Sequence, residues 1–221
     1  MSRAIVLVSG GMDSLVTLSI ARRDYEVIDA LHINYGQRTQ EKELKCFQKI
    51  CDHYSIRNRK VVDISYLKEF GGSSLTDLES EIPVAAKISN EIPNTYVPFR
   101  NGNLLSIASS YAEVNKVNHI YIGAVEVDGS GYPDCRRIFF QTLESAINNG
   151  IREGFRISIC TPLIDLTKGD IVKLGKKLQS PFELSWSCYA NGELPCGKCD
   201  SCVLRAKAFR EAGCDDPIIR G

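Results

Sequence analysis

Two stretches of the chain carry residue types whose spacing points to chemistry. The first is Ser9-Gly10-Gly11-Met12-Asp13-Ser14. Adjacent glycines let a backbone turn sharply and approach a ligand closely. A helix opening at about Met12 turns its unpaired N–H groups back into that turn, which makes an anion site suited to phosphate. Ser9 and Ser14 add hydroxyl donors. Asp13 adds a carboxylate that phosphate alone would repel, and a magnesium ion between the two would reconcile them. The loop fits neither Gly-x-Gly-x-x-Gly nor Gly-x-x-x-x-Gly-Lys-Ser/Thr. An ordinary strand-to-helix turn also uses glycine for geometry, but the flanking Ser, Asp and Ser favour a phosphate loop.

The second stretch is Cys188, Cys196, Cys199 and Cys202, with seven, two and two residues between them. Overlapping Cys-x-x-Cys pairs bring thiolates onto one ion, and four sulfurs complete a tetrahedral zinc site with no open position. Such a site is structural. An iron–sulfur cluster is the other metal reading, and a redox motif would need only one Cys-x-x-Cys. Lys198, Arg205, Lys207 and Arg210 are offset by Asp200, Glu211, Asp215 and Asp216. A clip holding the C-terminal segment against the site therefore fits better than a nucleic-acid-binding ribbon. Cys46, Cys51 and Cys160 are expected as small buried hydrophobes.

Both stretches must be held by a scaffold. The chain has 221 residues, 43% apolar and 24% charged, with 27 Lys plus Arg against 27 Asp plus Glu. That balance offers no global basic field for nucleic acid or an anionic membrane. No 18-residue apolar run suggests a membrane span, and the N-terminus enters a strand too soon for a signal peptide. A cytosolic protein is expected, so the nine cysteines call for an explanation other than disulfides.

Apolar runs predict strands at Ala4–Val8, Val27–Ile33, Val61–Ile64, Ile120–Gly123 and Ile157–Cys160. Between them, helical periodicity predicts helices at Asp13–Arg23, around Leu44–Tyr54, from Arg100 through Ala112, and at Phe139–Asn149. Thr167 as N-cap with Asp170 three residues on opens a fifth helix, and Ser201–Ala212 forms a last one. The alternation predicts an α/β, Rossmann-like parallel five-stranded sheet with helices on both faces, plus a C-terminal zinc-binding segment. The expected division is a nucleotide-binding domain at 1–180 and a zinc-binding segment at 181–221 packed on it, meeting at Ser180-Pro181. Ligands in such sheets bind at the carboxyl ends of the strands. The Ser9–Ser14 loop and the Tyr35–Arg38 loop both fall there. The long segment from Gly71 to Pro98 breaks the rhythm and reads as a functional or partner-facing loop.

The Ser-Gly-Gly-x-Asp-Ser loop resembles that of the ATP-pyrophosphatase superfamily, which cleaves ATP between the α and β phosphates. Further stretches narrow the likeness: Tyr35-Gly36-Gln37-Arg38, Thr95 to Asn101, Asp128 to Arg136 with Tyr132-Pro133-Asp134-Cys135-Arg136, Thr167-Lys168, Ser187-Cys188-Tyr189, and Cys196 to Arg205. Together, nearly end to end, they resemble the 7-cyano-7-deazaguanine synthases of the queuosine pathway. Departures are mild: Phe99 and Ser185 stand where Gly and Thr are more usual.

The resemblance implies an ATP-dependent carbon–nitrogen ligase that takes 7-carboxy-7-deazaguanine and ammonia through an acyl adenylate and an amide to the nitrile. It implies ATP, magnesium and one structural zinc as cofactors, and a homodimer, with neither nucleic acid nor membrane as partner. Free ammonia is the expected nitrogen source. The implied nucleotide-binding residues are Val8, Ser9, Gly10, Gly11, Met12, Asp13, Ser14, Leu15, Val16, Thr17, Leu18 and Arg38. Asp13, Ser14, Arg100 and Lys168 are the catalytic candidates, the cations serving phosphate or the substrate carboxylate. Asp134 is the candidate reader of the guanine-like edge, through N1–H and the exocyclic amine, with Tyr132 stacking on the ring and Arg136 beside it. Asp128 serves either magnesium or the ring, and Cys135 is a pocket residue. Related readings are a tRNA thiolation enzyme or another amide ligase. The first would show a basic tRNA face and a catalytic cysteine pair outside the cluster, and the sequence shows neither. A zinc-ribbon nucleic-acid module is disfavoured by the neutral charge and the adenylating loop.

Overall fold

The strand β1 (Arg3–Leu7) is apolar along its length because both of its faces are covered. Ala4, Val6 and Val8 face one core layer, while Ile5 and Leu7 face the other. The computed structural model describes residues 2–82, 84, 92–127 and 131–219. In it β1 is the centre of a five-stranded parallel sheet of order β3-β2-β1-β4-β5. The other strands are β2 (Val27–Asn34), β3 (Asn58–Asp63), β4 (His119–Tyr121) and β5 (Ser158–Cys160).

Helices α1 (Met12–Asp24), α2 (Gln40–His53), α5 (Lys168–Lys177) and α6 (Asp200–Glu211) share the first layer. Helices α3 (Arg100–Asn115) and α4 (Arg137–Gly150) share the second. The expected architecture is the observed one. α1 is buried from Met12 through Ala21 except at Asp13, because the sheet lies on one side of it and α5 and α6 on the other. α2 buries Phe47, Ile50 and Cys51, with Leu44 and Tyr54 packed at the margin. Thr167 caps α5 as read from the sequence: its Oγ accepts from the Asp170 N–H at 3.1 Å and donates to the Asp170 carboxylate at 2.7 Å.

β3 starts three residues earlier than its apolar run suggests. It is an edge strand, and its first residues, Asn58, Arg59 and Lys60, are exposed, so hydrophobicity does not mark them. Short 3-10 turns at Ser65–Phe70, Pro133–Cys135 and Phe182–Leu184 were not foreseen. α6 packs on the first layer. Ala208 and Phe209 enter the first layer, and the Phe209 ring meets Phe182 edge-on at 5.2 Å.

Strand order reverses between β1 and β4. From β1 the chain crosses to β2 on one side, and β5 lies beyond β4 on the other. That switch point opens a crevice at the carboxyl ends of the two strands.

Candidate active site

A cavity of about 300 Å³ fills this crevice. One wall is the β1–α1 turn. Gly10 adopts φ +91°, where L side chains are strained, and a Cβ there would stand 2.6 Å from the Glu43 carbonyl oxygen. Ser9 and Ser14 brace the turn. The Ser14 hydroxyl donates to the Gly11 carbonyl at 2.9 Å and lies 3.1 Å from the Ser9 hydroxyl, while Ser9 Oγ accepts from the Gly11 N–H at 3.2 Å. The first helical bond of α1 runs from the Leu15 N–H to the Gly11 carbonyl. The N–H groups of the first turn thus lie at a helix N-terminus whose residues Gly11, Met12, Asp13 and Ser14 line the cavity. Gly123, just beyond β4, lies against this turn, and a Cβ there would come within 2.9 Å of the Asp13 carbonyl group and the Ser14 nitrogen.

Lys168, at the start of α5, reaches across to Asp13, Nζ to Oδ2 at 2.6 Å. The other Asp13 oxygen, Oδ1, is buried without a hydrogen-bond partner. A half-coordinated carboxylate beside an anion cradle is the donor that a divalent cation on a polyphosphate would use.

The opposite wall comes from α3 and the Tyr132–Arg136 turn. Arg100 and Asn101 begin α3, and both line the cavity. The Arg100 guanidinium lies 5.4 Å from the Tyr35 ring and 5.9 Å from the Tyr132 ring, and Nη1 donates to the Tyr35 hydroxyl at 3.3 Å. Among the described residues no carboxylate lies within ion-pair distance of it. Burial pushes the Tyr35 phenol up to about 12, so its hydroxyl stays protonated. Tyr132 is buried, and its hydroxyl donates to Thr95 Oγ at 2.8 Å. Phe99, which precedes α3, sits at φ +53°. Glycine, the residue that the resemblance leads one to expect there, adopts that left-handed conformation without strain.

Not every expected residue faces the cavity. Leu15, Val16, Thr17 and Leu18 are fully buried and lie in α1 beyond the turn that lines it. Arg38 turns outward, and its guanidinium donates to the Asp77 and Ser80 carbonyls. Its loop neighbours Gln37 and Thr39 line the cavity instead, with Glu43 from the first turns of α2. Asp134 lies behind the wall. Its Oδ2 accepts from the Asn101 N–H at 2.8 Å, and its carbonyl accepts from Asn101 Nδ2 at 2.9 Å, so it caps α3. Its Oδ1 is buried and unpaired, and burial raises its pKa above the usual carboxylate value. Arg136 is exposed and donates to the Pro133 carbonyl. Asp128 lies outside the described residues. Cys135 does line the cavity, and burial raises its thiol to about 11.

The third wall comes from the C-terminal segment, which the cysteine pattern predicts as a clip held against the site. A strap, Trp186-Ser187-Cys188-Tyr189, crosses the cavity, and the Trp186 N–H donates to the Gly10 carbonyl at 2.9 Å. The backbone contact at Gly10 is the detail that the motif alone does not give. The strap leads into the cysteine cluster. The four sulfurs of Cys188, Cys196, Cys199 and Cys202 lie within 4.8 Å of one another, and those of Cys196 and Cys202 are 3.9 Å apart. Tetrahedral zinc with Zn–S of about 2.3 Å places its ligand sulfurs about 3.8 Å apart. The cluster could therefore hold one such ion, and it is tighter than an iron–sulfur core requires. Cys188 Sγ accepts N–H bonds from Ala190 and Cys196, both at 3.3 Å, as a thiolate ligand would. Cys51 is fully buried, while Cys46 and Cys160 are half-buried against the core clusters.

Residues 3–213 match the family "queuosine biosynthesis protein QueC". The 7-cyano-7-deazaguanine synthase of Chloroherpeton thalassium is 54% identical over 216 residues, covering 98% of this chain and 96% of that protein. Its namesake in Chlorobaculum tepidum is 51% identical over 216 residues, covering 98% and 95%. Among solved structures, a 4-thiouridine synthetase bound to RNA and ATP superposes with a TM-score of 0.54 at 15% identity. The superposition covers 96% of this chain and 50% of that one, and it speaks for the fold alone.

Proposed function

Because the chain belongs to the queuosine biosynthesis protein QueC family, we propose that it makes 7-cyano-7-deazaguanine from 7-carboxy-7-deazaguanine, ammonia and ATP. The observation that carries the reading is the pairing of two anion sites in one cavity. The Ser9–Ser14 turn with Lys168 forms one wall, and Arg100, with no carboxylate partner among the described residues, stands on the other.

A carboxylate resists ammonia because its oxygen leaves poorly. In the proposed sequence the substrate carboxylate, held by Arg100, attacks the α-phosphorus of ATP. The bond to the bridging oxygen breaks, and pyrophosphate leaves into the cradle formed by the α1 N-terminus and Lys168. Donors already aimed at that developing charge lower the barrier most. Ammonia then attacks the acyl carbon and expels AMP, giving the amide. A second activation, at the amide oxygen, makes that oxygen a leaving group and yields the nitrile. Tyr132 offers its face to the deazapurine ring. Asp134 and Arg136 shape that end through the turn they hold, not by facing the cavity.

Magnesium, when bound, would shield the phosphate charge, and Asp13 Oδ1 is the atom suited to hold it. Zinc is proposed for Cys188, Cys196, Cys199 and Cys202, in a segment spanning residues 181–221 that fastens the strap. A cytosolic homodimer is part of the same reading. No helix among the described residues is long and apolar enough to cross a membrane. The test is incubation of the purified protein with ATP, ammonium and 7-carboxy-7-deazaguanine, followed by mass. Appearance of the amide and then the nitrile is expected. ATP turnover without either product would refute the reading.

A further inference from the structure

Two acidic residues among the described ones line the cavity, Asp13 and Glu43. Asp13 is neutralised by Lys168. Glu43 has no Lys, Arg or His within ion-pair distance among the described residues. It is nevertheless held in place. Oε2 accepts from Gln37 Nε2 at 2.9 Å, and Oε1 accepts from Thr39 Oγ at 2.5 Å. Gln37 and Thr39 are themselves buried, and Gln37 Oε1 is pinned by the Tyr35 N–H at 2.9 Å. Each carboxylate oxygen keeps a lone pair after these bonds. A carboxylate built into a reaction cavity without a counter-ion calls for a cationic guest.

We propose that Glu43 is the ammonium site: it draws NH₄⁺ into the cavity and takes its proton as the nitrogen attacks the acyl carbon. The proposal rests on the function proposed above, in which ammonia is the nucleophile. The step balances. The N–H pair of electrons stays on nitrogen as Glu43 takes the proton, and the N–C bond forms at the acyl carbon. The C–O bond to AMP breaks with its electrons going to the phosphate. A second proton leaves the nitrogen for water, and Glu43 returns its own to solvent. Acyl adenylate and NH₄⁺ thus give amide, AMP and two protons. The one-sided arrangement of the cavity suits this. The wall with Lys168 and Asp13 serves the phosphates, and α2 contributes Glu43, held by Gln37 and Thr39. The titratable groups around Glu43 are Tyr35 on the β2–α2 loop, with Arg100 of α3 beyond it, and Lys42 and Cys46 on α2.

The test compares Glu43→Gln with the wild type in two assays. Substrate-dependent ATP–pyrophosphate exchange needs no ammonia and serves as the internal reference. Amide formation is measured against total ammonium from about pH 7 to above the pKa of ammonium. General-base assistance is worth roughly 10²–10⁴-fold. We expect E43Q to lower kcat/KM for ammonium by about 10²-fold near neutral pH, with the deficit closing as free ammonia becomes abundant. Glu43→Asp, which keeps the charge, should recover part of the loss. If exchange is intact and the ammonium dependence of E43Q matches the wild type at every pH, the proposal is overturned. It is also overturned if E43Q instead raises the magnesium requirement of exchange, which would make Glu43 a metal ligand. Absence of exchange in the wild type would remove the underlying function, and this inference with it.

Discussion

Replacing Asp216 by alanine tests how the C-terminal segment is fastened to the reaction cavity. Arg205 and Asp216 have side chains only 3% and 4% exposed. The guanidinium binds the carboxylate through Nε at 2.6 Å and Nη2 at 2.9 Å. Its remaining donors reach Ser185 Oγ at 2.8 Å, Ser187 Oγ at 3.3 Å and the Phe182 carbonyl at 3.2 Å. Truncating Asp216 leaves a buried cation with neutral acceptors only, a loss of about 3–5 kcal/mol. In a chain of this length each kcal/mol moves Tm by about 2–4 °C, so a fall of about 6–20 °C is expected. Arg205→Met combined with Asp216→Leu removes both charges and should recover most of it. Asp24→Ala breaks an exposed pair with Arg23 and should leave Tm unchanged. The assay is thermal unfolding by circular dichroism at fixed zinc. Since Ser187 lies in the strap whose Trp186 holds Gly10, the KM for ATP in pyrophosphate exchange should rise in D216A as well. A Tm shift no larger than that of Asp24→Ala would refute the argument.

Three further outcomes follow from the site. Asp13→Asn keeps the shape of the side chain but removes the charge facing Lys168, and turnover should fall by about 10²-fold or more with zinc content and Tm preserved. An unaffected rate would remove the loop from the mechanism. Cys199→Ser takes one of four sulfurs from a buried cluster, so the purified variant should carry less than one zinc per chain by metal analysis and lose solubility. Cys135 has its thiol pKa raised by burial to about 11, which leaves it protonated at neutral pH. Its alkylation by iodoacetamide, followed by peptide mass, should climb with pH well beyond the ordinary thiol value of about 8.5. Rapid labelling at pH 7 would contradict that.

What could be read from the sequence follows physical lines. β1 and β2 are covered on both faces, so their apolar runs marked them plainly, and α2 showed its buried face through Phe47, Ile50 and Cys51. The cysteine spacing pointed to four sulfurs drawn together, able to hold a metal ion, because ligand geometry is a local constraint. β3 was shortened because an edge strand need not be apolar. The Gln37–Thr39 stretch shows a different limit. Adjacent loop residues point in different directions, and only the path of the backbone decides that Gln37 and Thr39 enter the cavity while Arg38 grips the Asp77 and Ser80 carbonyls. Composition favoured the arginine because it could bind phosphate. Glu43 was invisible for a related reason: an acid in the first turns of an amphipathic helix reads as solvated surface until a neighbouring loop is folded over it.

The strap changes what the cysteine cluster is for. Had the cluster merely closed off the C-terminus, its loss would cost stability and leave the chemistry alone. Instead Cys188 is at once one of the four clustered sulfurs and a cavity-lining residue. Two residues before it, the Trp186 N–H holds the Gly10 carbonyl, at the glycine whose positive φ shapes the β1–α1 turn. α6, which begins within the cluster, sends Arg205 back to Ser185 and Ser187 on either side of that contact. The cluster and the ion pair therefore fix the same four-residue strap from its two ends. Under the proposed function, a turn presenting several N–H groups to a leaving pyrophosphate would gain most from donors that are already oriented, and the strap would supply that orientation from outside the sheet.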